Sequence, residues 1–254
     1  MKKLISLVIL ILLFSCHTDN DDIVSQVTVG FNFIHYWDDI KVINTDFNAI
    51  KYTNTSGEEL SIEKLRYLIS KITFQKPSGE IFVLDGYNLV DVTNDTNSSF
   101  TPTSKIPTGD FSKVSFTFGF NNEDNYDSNY QDLNSASWNV PPLLGGGYHF
   151  MQLEGKFIDN TTTETGYAYH AIRAVDNSIT PQEFQNTFFE VDLGSVSITK
   201  DATFEVKMNI AEWFKNPNTW DLNVLNNMLM SNFNAQVMMF ENGQNVFSLE
   251  SITQ

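Results

Sequence analysis

The sequence predicts an all-β protein, an immunoglobulin-like or Greek-key β-sandwich with one or two short helices. Three observations predict it. Short stretches of alternating apolar and polar residues recur along the chain. Clusters of Asn, Asp, Gly, Ser and Thr, the residues that close turns, separate them. Hydrophobic residues make up 41% of the composition and aromatics 13%, ample for the core such a fold needs.

The chain opens with MKKLISLVILILLFSC, in which Lys2 and Lys3 precede a short apolar run from Leu4 to Leu13. The run is too short to span a bilayer as a mature helix, and it ends at Ser15-Cys16. Residues 1–16 therefore predict a lipoprotein signal peptide with a lipobox. Cys16 is the only cysteine, so no internal disulfide is available, and its predicted use is covalent lipidation that anchors the chain to a membrane. Residues 17–26 are a polar, acidic tether containing His17. The tether is either a plain linker or a surface-export signal, and the residues leave both open. Residues 27–254 form one predicted domain.

Within that domain, Val27, Val29, Phe31 and Phe33 alternate onto one face of a strand that runs to His35-Tyr36. Further strands are predicted at 72–74, 81–84, 113–120, 149–157, 167–173, 188–193, 203–210 and 245–252. Ser61 and Glu63, with Ile62, Leu65 and Leu68/Ile69 at helical spacing, predict a short helix or a turn before the strand at Ile72. Between Asn209 and Met230, Pro217 divides a short helix or turn from a loop and a second helix beginning near Asp221.

The formal net charge is −16, and loss of Lys2 and Lys3 makes it more negative. That argues against nucleic acid as a partner. No G-x-S-x-G, H-E-x-x-H, Walker or dinucleotide fingerprint occurs, and no residue pattern makes a case for an enzyme. The oxygen-rich loop 121–129 lacks the glycine and terminal glutamate of an EF-hand, and reads as solvated. Met228, Met230, Met238 and Met239 read as core filling.

Several stretches in order carry a resemblance: "LRYLISKITF" at 65–74, "IPTGDFSKVSFTFGF" at 106–120, and "GGYHFMQLEGKF" at 146–157. Then come "GYAYHAI" at 166–172, "KMNIAEWFKNP" at 207–217 and the closing "FENGQNVFSLES". Together they resemble the MbnP-like family, exported β-sandwich proteins that include a methanobactin-associated copper-binding protein. The likeness runs from about residue 27 to the C-terminus. It implies a periplasmic or outer-membrane-surface location. It also implies copper held by histidine together with kynurenine, an oxidised tryptophan made by a dihaem, peroxidase-like partner enzyme.

Imidazole suits copper in either oxidation state. The resemblance points to His35 and His170 as the metal ligands, with Trp138 the candidate for conversion to kynurenine and Trp37 its competitor. His149 is a further candidate, with Met151 expected on the same face two residues later. The family's segment ahead of the Gly-Tyr strand usually holds two tryptophans close together. This chain has Trp138 alone, followed by Pro141-Pro142 and Gly145–Gly147. The competing expectation is a surface module that binds a glycan, protein or small ligand through Tyr36, Trp37, Tyr126, Tyr130 and Trp138.

Overall fold

The computed structural model describes residues 25–254, and the signal peptide, Cys16 and most of the tether lie outside them. The fold is an all-β sandwich. One layer is a nine-stranded sheet organised around the long strand Lys64–Gln75, flanked by Lys113–Phe118 and Met151–Ile158. The other is a five-stranded sheet in which Val29–Trp37 runs parallel to Ala202–Asn209, with Phe247–Thr253 antiparallel beyond it. Val29–Trp37 buries every second residue, as a strand with one face on the core must. A single hydrophobic cluster fills the space between the layers, with Phe31, Phe33, Phe74, Phe116, Phe118, Phe204 and Trp213 among its members. Among the described residues no helix is long and apolar enough to cross a membrane.

Two local expectations are overturned. The segment 61–69 is not a helix or a turn: from Lys64 it is the start of the central strand. That strand is apolar on both faces, with Leu65, Tyr67 and Ile69 in the main core and Leu68 in a second cluster outside it. Lys71, at φ 47°, sits where the register against Lys113–Phe118 slips, so the core-facing residues resume at Ile72 and Phe74. Double-sided burial plus one bulge produces a spacing of three and four that imitates a helix.

The second correction concerns the C-terminal third. Ile210–Phe214 is a short 3-10 helix, as expected ahead of Pro217. No helix starts near Asp221, where the chain makes turns instead; the helix is Phe233–Gly243, capped by the Asn232 side chain on Ala235 N–H. Met239 of that helix is buried in the core, whereas Met228 is 80% exposed.

Candidate functional site

Strand register decides which chemistry-bearing side chains can meet. Gln152 lies opposite Arg66 on one side and His170 on the other, so these three share one face of the large sheet. Glu154, two residues on, joins that face opposite Lys64. The intervening row, Tyr67, Met151 and Ala171, belongs to the core face. Met151 therefore points away from the His149 side, contrary to expectation. The regular strand starts only at Met151, and the backbone bends at Phe150, which breaks the two-residue alternation.

His35 is on the core side as well. Its Nε2 lies 2.9 Å from the buried Tyr67 hydroxyl, and burial pushes its pKa down to about 3. The large sheet thus stands between His35 and His170. The structure does not bring that expected ligand pair together.

It brings together His149, His170 and Trp138. The excursion 121–150 folds back over the outer face and builds its own small core from Leu68, Phe120, Leu133, Trp138 and Tyr148. Gly145, Gly146 and Gly147 make this return possible, all with positive φ. A Cβ on Gly147 would stand 2.5 Å from Asn125 Oδ1, and one on Gly146 2.5 Å from Asp127 Oδ1. Those two side chains hold the loop, Asn125 accepting the Tyr148 N–H at 2.8 Å and Asp127 the Gly147 N–H. The polar loop 121–129 is in this respect a structural clamp.

Asn139 then bridges Tyr148, and the His149 N–H donates to the Trp138 carbonyl at 3.0 Å, which sets Trp138 beside His149. Their ring centroids are 5.6 Å apart, and the His149 and His170 rings meet edge to face at 5.3 Å. His149 Nδ1 also lies 2.9 Å from the Trp138 carbonyl, which can only accept, so Nδ1 carries the proton. Burial pushes the His149 pKa down to about 4, and its Nε2 is buried with no partner. His170 Nε2 lies 2.8 Å from Glu154 Oε1, and its Nδ1 makes no hydrogen bond among the described residues. The His170 contact, assisted by Lys64, holds the Glu154 carboxyl down at about 2.

Arg66 closes the site. Its guanidinium carbon sits 5.0 Å over the Trp138 ring, and it donates to the Ala136 carbonyl at 3.2 Å and to Gln152 Oε1 at 2.5 Å. Trp138 Nε1 and Arg66 Nε are, like His149 Nε2, buried without a partner. Three unpaired polar atoms on neighbouring side chains are unusual in a folded interior. Two imidazoles, each with one nitrogen held by an oxygen acceptor and the other without a hydrogen-bond partner among the described residues, offer nitrogen donors of the kind transition metals prefer over hard cations. Among the described residues no three His, Cys, Asp or Glu side chains converge on one point.

Glu154, Gln152 and Arg66 were not singled out from the sequence. The signal available was the Gln152-Leu153-Glu154 alternation, which assigns Gln152 and Glu154 to one face once the strand is known. The aromatic residues of the competing expectation do not share an open surface. Trp37 is buried against Tyr52, Tyr130 and Trp138 belong to the small outer core, and Tyr126 stands alone at 59% exposure.

The structure of MbnP from Methylosinus trichosporium resembles this one with a TM-score of 0.52 at 12% identity, over 77% of this chain and 80% of that one. At that identity the likeness speaks for the fold. A search of curated proteins returned no match. The family model of MbnP matches residues 26–238, most of the chain. This chain belongs to the MbnP family.

Proposed function

We propose that the protein is an exported, lipid-anchored, non-enzymatic copper-binding member of its family, with His149 and His170 as the copper ligands and Trp138 beside them. One observation carries the reading. His149 presents a buried Nε2 with no partner, beside a second imidazole whose own Nε2 is held by Glu154. Burial of an unpaired nitrogen is costly unless something occupies its lone pair. Bound copper would supply a soft cation able to use two imidazole nitrogens. The chain's own contribution is orientation: the Trp138 carbonyl fixes one ring and the Glu154 carboxylate the other. His35 has no part in this reading, because it faces the opposite side of the sheet.

Titration of the full chain with Cu(I), in competition with a chromophoric chelator, tests it. One equivalent should bind, and His149→Ala or His170→Ala should each weaken binding on the order of 100-fold or more. His35→Gln should leave affinity unchanged. Wild-type affinity in the His149→Ala/His170→Ala double variant would sink the assignment. Trp138 is the tryptophan this reading assigns to oxidation, so intact mass of protein from its native host should show an oxidised species that Trp138→Phe lacks.

A further inference from the structure

The chain enters the described fold at one end of the sandwich, and the imidazole pair sits toward the other. Gln26–Val27 pairs with Ile106–Pro107, and the Thr108 N–H donates to the Ser25 carbonyl at 2.8 Å. Val29–Trp37 runs away from that entry, so Phe31 packs on Phe74 and the His35 ring on Tyr67. The central strand Lys64–Gln75 therefore runs the opposite way, with Gln75 near the entry and Arg66, beside the imidazoles, toward the far end. Along a strand that separation is about 25–30 Å.

The entry end carries an apolar edge. Ile81–Val83 pairs with Thr73–Gln75 and with no other strand among the described residues. Phe82 turns inward onto Phe111, which leaves Ile81 57% and Val83 54% exposed on the outer side. This edge is tied to the partner of the N-terminal strand. Thr103 Oγ1 donates to Asp85 Oδ2 at 2.7 Å, and Ser104 Oγ accepts the Asp85 N–H at 3.1 Å, just before Lys105 and Ile106. Lys76 and Lys105 offset Glu80 and Asp85 beside it, so the edge is near neutral in a chain of formal charge −16. Lys76 Nζ lies 5.2 Å over the Phe82 ring, with its stem along apolar surface. Ile40 and Val224 are also exposed, but they lie at the opposite end, past Trp37 and past Ile158.

The entry point names the occupant. Cys16 precedes Ser25 by nine residues, which reach at most about 30 Å when extended. On the lipid anchoring proposed above, on which this inference rests, the bilayer is never far from this end. Aliphatic side chains flanked by lysines suit the headgroup layer, and an anionic leaflet repels the acidic remainder of the surface more than this edge. We propose that the Ile81–Val83 edge rests in the headgroup layer of the membrane that holds the anchor, and that it turns the imidazole end outward, toward soluble partners.

The test uses the full chain, processed and acylated at Cys16, in vesicles of phosphatidylethanolamine and phosphatidylglycerol. Acylation consumes Cys16, so Ile81→Cys or Val224→Cys supplies the one free thiol for a polarity-sensitive dye. Both positions are exposed, 57% and 72%, and both variants should fold. In vesicles the dye at 81 should shift to the blue and be quenched by brominated lipid several-fold more than the dye at 224. Flotation of the same vesicles separates the two ideas. A chain that floats with both dyes equally in water overturns the resting edge and leaves the anchor standing. A chain that does not float removes the anchor and this inference with it. A blue shift at 81 that grows with protein concentration in the absence of lipid would assign the edge to a second copy, and would also overturn the proposal.

Discussion

The Trp138 carbonyl takes two hydrogen bonds from His149, one from the backbone N–H at 3.0 Å and one from the ring Nδ1 at 2.9 Å. The pair fixes both the position of the residue and the tautomer of its side chain. Because burial holds the His149 pKa near 4, its Nε2 lone pair should stay available across the neutral and mildly acidic range. Histidine ring resonances followed by NMR between pH 8 and 4 should show His149 titrating about two units below an exposed histidine. A midpoint above 6 would remove the argument for a prepared ligand.

Glu154 should matter to the metal and to the fold. Its carboxylate is held by His170 and Lys64 and is 29% exposed, so Glu154→Gln should also cost about 1–2 kcal/mol of stability at neutral pH. The variant loses the charged acceptor at His170 Nε2, and copper affinity should fall about 10–100-fold. Chelator competition with the urea midpoint measured alongside separates the two effects. An unchanged affinity would show that the carboxylate does not orient the ring.

His35 predicts an acid response of opposite origin. An unfolded chain protonates this residue near pH 6.5, whereas the folded protein resists until about pH 3. Its folded pKa is depressed, so the neutral-pH stability is full above 6.5 and declines as pH falls through that window. At pH 4.5 the loss from this residue is about 2–3 kcal/mol. His35→Gln should flatten that part of the pH profile while costing about 1 kcal/mol at pH 7.5, where the Tyr67 hydroxyl loses its partner. Urea unfolding of the two proteins at pH 7.5 and 4.5 reads both numbers. Parallel profiles would contradict the assignment.

Gly147→Ala should damage fold and site together. The residue sits at φ 76°, and a Cβ there meets Asn125 Oδ1 at 2.5 Å. Left-handed backbone costs a residue with a Cβ about 1–2 kcal/mol before the clash is counted. The displaced loop carries His149 two residues later, so Cu(I) affinity should drop as well. Asn125→Gly in the same chain relieves the clash only by taking the acceptor from the Tyr148 N–H, so it should not restore stability.

The sandwich was legible because its strands alternate, and one-sided burial writes a period of two into the sequence. The central strand was less so. Arg66, Leu68 and Ser70 lie under a second small core on the outer face, and a strand covered on both sides loses its alternation. The same covering hid the site. Trp138 and His149 read as separate features of a glycine-rich loop; the bridge between Asn139 and Tyr148 and the two hydrogen bonds to the Trp138 carbonyl join them only in the fold. His35 and His170 looked equivalent as strand-end histidines. Which sheet face each occupies depends on register across several strands, and local periodicity does not carry that.

Thr28, next to the first long strand, donates its backbone N–H to Asp201, 173 residues away, where the parallel partner strand begins. A ribosome or a translocation pore thus releases the opening strand long before its neighbour exists. Until residues 202–209 arrive, Val29, Phe31 and Phe33 present an apolar face and an unpaired edge to the surroundings. Such long-range closure makes folding slow and leaves the nascent chain prone to association. Maturation of this protein should therefore depend on a holding chaperone far more than its final stability suggests, and C-terminal truncation before residue 202 should yield aggregate and no partly folded sandwich.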